Sequence, residues 1–138
     1  GEEAWRRVLA LTTAQGTLRD PRALPTLFRA LGPMWWHAPP SDTVIAGMAR
    51  GMVYRAESDA NFILAIGRWD ARLRAPEVRC PVRVIAGASD KTFLPAESRG
   101  LADALPHGSY VAMEAAGHLP FIERSAEFLA EVGRFLAP

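Results

Sequence analysis

Two short apolar runs joined by one helix-like segment constrain this 138-residue chain more than anything else in it. Val82-Arg83-Val84-Ile85-Ala86 reads as a short buried strand, and it passes through Gly87-Ala88-Ser89 into Asp90. Tyr110-Val111-Ala112-Met113 reads as a second strand, and it passes through Ala115-Ala116-Gly117 into His118. The crossover from Pro95 carries Leu101, Ala104 and Leu105, and Pro106-His107-Gly108 is a turn. Strand–helix–strand order implies a parallel pair with a right-handed crossover. Open sheets of this kind bind ligands in the crevice outside the carboxyl ends of their strands. Asp90 and His118 each stand just past such an end. A carboxylate and an imidazole placed there are two of the three parts of a nucleophile–base–orienter triad. The third part is absent, because no Gly-x-Ser-x-Gly occurs in the chain.

Two parallel strands make an incomplete sheet. Parallel sheets are covered on both faces, and an isolated two-stranded unit is marginal. The expectation is therefore a missing partner that supplies the rest of the sheet, either an amino-terminal fragment of the same gene product or a second chain. The last helix is read from Ser125, with Glu127 in its first turn and Phe128, Leu129, Val132, Phe135 and Leu136 on one apolar stripe.

The first half reads as helical and irregular. Trp5, Val8, Leu9 and Thr12 share a helical face, and Asp20-Pro21 is a good helix start. Leu24, Leu27, Phe28 and Leu31 mark a short helix ended by Gly32-Pro33, and Met34 to Pro40 is an aromatic-dense loop. Ser41 caps a helix with Val44, Ile45, Met48 and Met52 on its apolar face, and Ser58 caps another with Phe62, Ile63, Ile66 and Trp69. Arg68 to Arg79 reads as a charged connector, with Asp70 at a helix end. The expected division is a helical cap over 1–57 and a sheet-bearing part over 58–138.

Composition narrows the class. Hydrophobic residues are 49% and charged residues 22%, close to ordinary globular usage. The formal net charge of +1 gives no argument for nucleic acid. Lys91 is the sole lysine, so almost all positive charge is Arg. The single cysteine, Cys80, cannot form an intrachain disulfide, which makes a reducing, cytoplasmic compartment the default. Beside Pro81 at a strand entrance, it reads as a buried structural thiol. The acidic start Gly1-Glu2-Glu3 does not read as a signal peptide, and no apolar run approaches a membrane span.

The stretches CPVRVIAGASDKTFLP and LADALPHGSYVAMEAAGHLPFIERSAEFLAEVGRFL resemble the carboxyl-terminal part of the α/β-hydrolase family. In that family the triad runs in the order nucleophile, acid, base. The acid follows the penultimate strand and the histidine follows the last, so Asp90 matches the acid and His118 the histidine. The resemblance covers roughly residues 58–138 well, and 1–57 match only the general character of the family's helical cap. It implies an α/β fold: the carboxyl-terminal portion of an α/β-hydrolase, two parallel strands with helices, completed by the missing nucleophile-bearing part. No metal and no cofactor are expected.

The other serines do not fit the nucleophile. Ser41, Ser58 and Ser125 read as helix caps, and Ser89 lacks the glycine-flanked strand–turn–helix context. Met34, Trp35, Trp36, Met48 and Met52 form an aromatic and thioether-rich patch that serves either as cap core or, in part, as the wall of a small apolar carbonyl substrate's pocket. Phe93 and Leu119 directly follow the two site loops and join that wall by chain proximity. His107 reads as a surface turn residue, and His37 is open between cap surface and pocket wall. The leading expectation is a serine-type hydrolysis of an ester, lactone or similar carbonyl compound. A lyase or cyclase on the same fold, or a non-catalytic binding protein, are the alternatives, since fold does not settle reaction.

Overall fold

The computed structural model describes residues 24–51 and 70–137. These fall into two compact units, each described separately: Leu24–Pro33 with Pro39–Gly51, and Met34–Ala38 with Asp70–Ala137.

The first unit packs α1 (Leu24–Ala30) against α3 (Asp42–Gly51). Leu24, Phe28, Leu31 and Ile45 are buried, which follows the helical spacing of the apolar positions. Ser41 caps α3 as its sequence implies, its Oγ accepting the Val44 N–H at 3.3 Å. Arg29 pairs with Asp42 across the two helices at 2.6 Å. The expected aromatic loop is partly helical: Gly32–Trp35 form one turn, α2. Pro33 fits there because the first helical turn leaves its N–H groups without intrahelical partners. The helices proposed around Trp5 and Ser58 lie outside the described residues.

The second unit holds the sheet. β1 (Val82–Gly87) pairs in parallel with β2 (Gly108–Met113), in the register Val82 to Gly108 through Gly87 to Met113. α4 (Pro95–Ala104) is the crossover and packs on both strands. Its start is satisfied by the Glu97 carboxylate, which accepts the Leu94 N–H at 3.0 Å. The short α5 (Pro120–Glu123) and the terminal α6 (Ser125–Leu136) follow. Two 3₁₀ turns, Ala71–Leu73 and Ala75–Glu77, lead into β1 in place of a plain connector. Asp70 begins the first of these rather than ending a helix, its carboxylate accepting the Arg72 N–H at 3.0 Å. The Arg72 guanidinium bonded to it holds that carboxyl down at about 2.

Four further expectations change. Only Ala86 and Gly87 of β1 are buried, and Val82 to Ile85 are half-exposed. Among the described residues β1 has a ladder partner on one edge only, so its apolar run is covered on one side. Cys80 is exposed, since the ladder begins only at Val82. α6 is preceded by Arg124, and Ser125 is its first residue, not its cap. The apolar stripe of α6 is also divided. Leu129 and Leu136 are exposed, whereas Glu131 is buried. That burial is tolerable because Glu131 pairs with Arg83 of β1 at 3.1 Å and with Arg134 of its own helix.

Candidate active site

Parallel register brings the carboxyl ends of both strands to one edge, at Gly87 and Met113. The loops beyond them are laced together. The Ala88 N–H donates to the Met113 carbonyl and the Ser89 N–H to the Ala116 carbonyl, both at 2.9 Å. Gly87 permits this approach: a Cβ there would collide with the carbonyl oxygens of Ala116 and Gly117. Ala115 adopts φ 51°, a left-handed conformation that costs a non-glycine residue about 1 kcal/mol or more. The turn that delivers His118 is therefore held by its surroundings rather than by local preference.

These loops set Asp90 against His118. Nδ1 of His118 lies 3.0 Å from Oδ2 of Asp90, across 28 residues of sequence. Asp90 is 6% exposed and His118 is half-buried. The other carboxylate oxygen, Oδ1, accepts the Thr92 N–H at 2.7 Å and the Phe93 N–H at 3.1 Å. Both backbone contacts call for an acceptor at Oδ1, and an ionised carboxylate supplies a second acceptor at Oδ2 facing the imidazole. An acceptor facing Nδ1 places the imidazole proton on Nδ1 and leaves the Nε2 lone pair free for proton transfer. The His118 ring is flanked by Trp35 at 5.6 Å and Phe93 at 5.4 Å between centroids.

The remaining predicted residues divide. Trp35 and Phe93 meet His118 directly, and Leu119 follows it, half-buried, at the start of α5. Trp36 is 5% exposed, a core residue whose Nε1 has no hydrogen-bond partner among the described residues. Met48 lies half-buried in α3 of the first unit, and Met52 lies outside the described residues.

Four contacts escape sequence reasoning. His37 Nδ1 is 2.8 Å from Ser89 Oγ. The His118 N–H donates to the Trp35 carbonyl at 2.6 Å. The Glu123 carboxylate bridges the N–H groups of Gly117 and His37. Among the described residues no group of three or more His, Cys, Asp or Glu could hold a metal ion, and no helix is long and apolar enough to cross a membrane.

The strand order, the crossover and the loops beyond the strand ends are those of the carboxyl-terminal part of an α/β-hydrolase fold. An enol-lactonase from Burkholderia xenovorans superposes with a TM-score of 0.71 and 28% identity, covering 98% of this chain and 50% of its own. An esterase from Exiguobacterium antarcticum superposes with a TM-score of 0.75 at 13% identity, covering 94% of this chain and 47% of its own, a likeness of fold alone. In sequence, 104 residues match the polyketide synthase ThaQ of Burkholderia thailandensis at 29% identity, covering 72% of this chain and 5% of that protein. The chain thus spans about half the length of these solved structures and a small part of the synthase. No family model matches the chain.

Proposed function

We propose that this chain supplies the acid and the base of a serine-type hydrolase acting on an ester, lactone or similar carbonyl compound. The observation that carries the reading is the contact of His118 Nδ1 with the buried Asp90 carboxylate at the strand ends. The nucleophile and the oxyanion donors come from an amino-terminal part or second chain that completes the sheet. A serine Oγ attacks the substrate carbonyl while His118 Nε2 takes its proton, and the imidazolium is stabilised by Asp90. The same nitrogen then protonates the leaving oxygen. In the second step it takes a proton from water as the water attacks the acyl-enzyme, and the freed serine recovers it. Trp35, Phe93 and Leu119 form an apolar wall beside the reacting carbonyl.

The structural likeness to a lactonase supports this chemistry. The match to a stretch of a polyketide synthase favours a second reading, in which the same proton relay serves acyl transfer within a larger synthase. The test is His118→Ala in the full protein, nucleophile-bearing part included. Turnover of a simple ester should fall by about 10⁴-fold or more. Labelling of the nucleophilic serine by a fluorophosphonate should slow in parallel. Near-normal turnover would rule out His118 as the base.

A further inference from the structure

Glu123 closes α5 five residues after His118, and its carboxylate holds two chain segments at once. Oε1 accepts the Gly117 N–H at 2.6 Å, and Oε2 accepts the His37 N–H at 2.8 Å. The next amide along, that of His118, donates to the Trp35 carbonyl at 2.6 Å. Two consecutive amides of the histidine loop are thus tied to the segment Trp35–His37, one through Glu123 and one directly. The approach is close. A Cβ on Gly117 would lie 2.9 Å from the His37 nitrogen and from the Trp36 carbonyl carbon, and closer still to the Trp35 oxygen. Nothing in the proposed reaction uses Glu123.

We propose that Glu123 is a positioning residue that fixes the loop from which the His118 imidazole meets Asp90. The inference rests on reading His118 as the base. The chemistry singles out a carboxylate. It offers two acceptor oxygens and no donor, so one group satisfies two N–H groups pointing at it from different segments. A glutamine keeps one acceptor and turns an NH₂ against the other N–H. An aspartate is one methylene too short to span both. With one strap cut, the peptide joining Gly117 and His118 can rotate, and the imidazole then departs from Asp90.

The test is Glu123→Gln in the full protein with its nucleophile-bearing part, read by ester turnover and by ¹⁵N spectra of the histidine rings. In the unaltered protein His118 should show one tautomer, protonated on Nδ1. Glu123→Gln should convert it to an exchanging mixture and lower kcat about tenfold, with KM within twofold and a cooperative melt retained. An unchanged tautomer in the variant, or a mixture already present in the unaltered protein, would overturn the proposal. A disturbed tautomer in a protein without any hydrolytic turnover would leave the proposal standing and sink the hydrolase reading instead. Should the variant fail to fold, the unaltered protein decides: through-hydrogen-bond couplings should link the Glu123 carboxyl carbon to the amide nitrogens of both Gly117 and His37. Coupling to one amide or to neither would overturn it.

Discussion

Asp90→Asn should disable the site while sparing the fold, and the reason lies in which oxygen each neighbour uses. Oδ1 of Asp90 accepts two backbone N–H groups, from Thr92 and Phe93, whereas among the described residues Oδ2 faces only the His118 imidazole. An asparagine must keep its oxygen at the first position, because an NH₂ there would face two donors. Its NH₂ therefore lands where Oδ2 was and donates to Nδ1. The imidazole proton is driven to Nε2, which can no longer accept the nucleophile's proton. A base frozen in the wrong tautomer loses about 10⁴ in turnover, which is about 5 kcal/mol of barrier. Stability should change much less. Both Oδ1 bonds survive as neutral rather than charge-assisted contacts, a loss of about 1–2 kcal/mol. The assay is steady-state hydrolysis of an activated ester by the full protein, alongside denaturant unfolding and the His118 ¹⁵N spectrum. Turnover within tenfold of the unaltered protein, or an Nδ1-protonated His118 in the variant, would refute the reasoning.

Adjacent tryptophans should separate binding from stability. Trp36→Ala removes a side chain that is 5% exposed and should cost about 3–5 kcal/mol in unfolding experiments. Trp35→Ala, beside the His118 ring, should raise KM or alter ester preference at a smaller cost in stability; a reversed pattern would exchange their roles. Expressed without the remainder of its sheet, the chain should give weak near-ultraviolet circular dichroism and no sharp melt, since β1 pairs on one edge only among the described residues. A cooperative melt of the isolated chain would dispose of the missing-partner argument.

Much of the fold is legible in the sequence because it rests on period and punctuation. The two apolar runs, the Pro95 start of the crossover and the Pro106-His107-Gly108 turn place β1, α4 and β2 within a residue or two of where they lie. Period says which face of an element is apolar, but it does not say whether anything covers that face. Leu129 and Leu136 satisfy the helical stripe of α6 and still face solvent. Glu131 breaks the pattern and is buried because Arg83, on another element, reaches it. A charge paired across elements leaves no trace in local spacing. Cys80 fails for a related reason: its neighbour Pro81 suggests a strand entrance, but the ladder starts beyond both.

The site divides along the same line. Asp90 and His118 are legible because each follows a strand end by a short offset, and parallel register carries that offset into space. The supports of the pair are not legible, since they span long separations: 86 residues for the backbone amide of His37 on Glu123, and 52 for the side chains of His37 and Ser89. A backbone N–H is the same at every position, so no residue type advertises the need for an acceptor. The need is nonetheless obligatory: a buried amide must find a partner. Gly117 is buried, lies outside any ladder and follows the turn at Glu114 and Ala115, so its N–H needs an acceptor that no strand partner supplies. The helical turn that begins just after His118 returns a side chain to that loop, and the residue it returns there is an acid. Once the fold places Gly117 in the interior, the acceptor requirement alone directs attention to Glu123, before any assumption is made about catalysis.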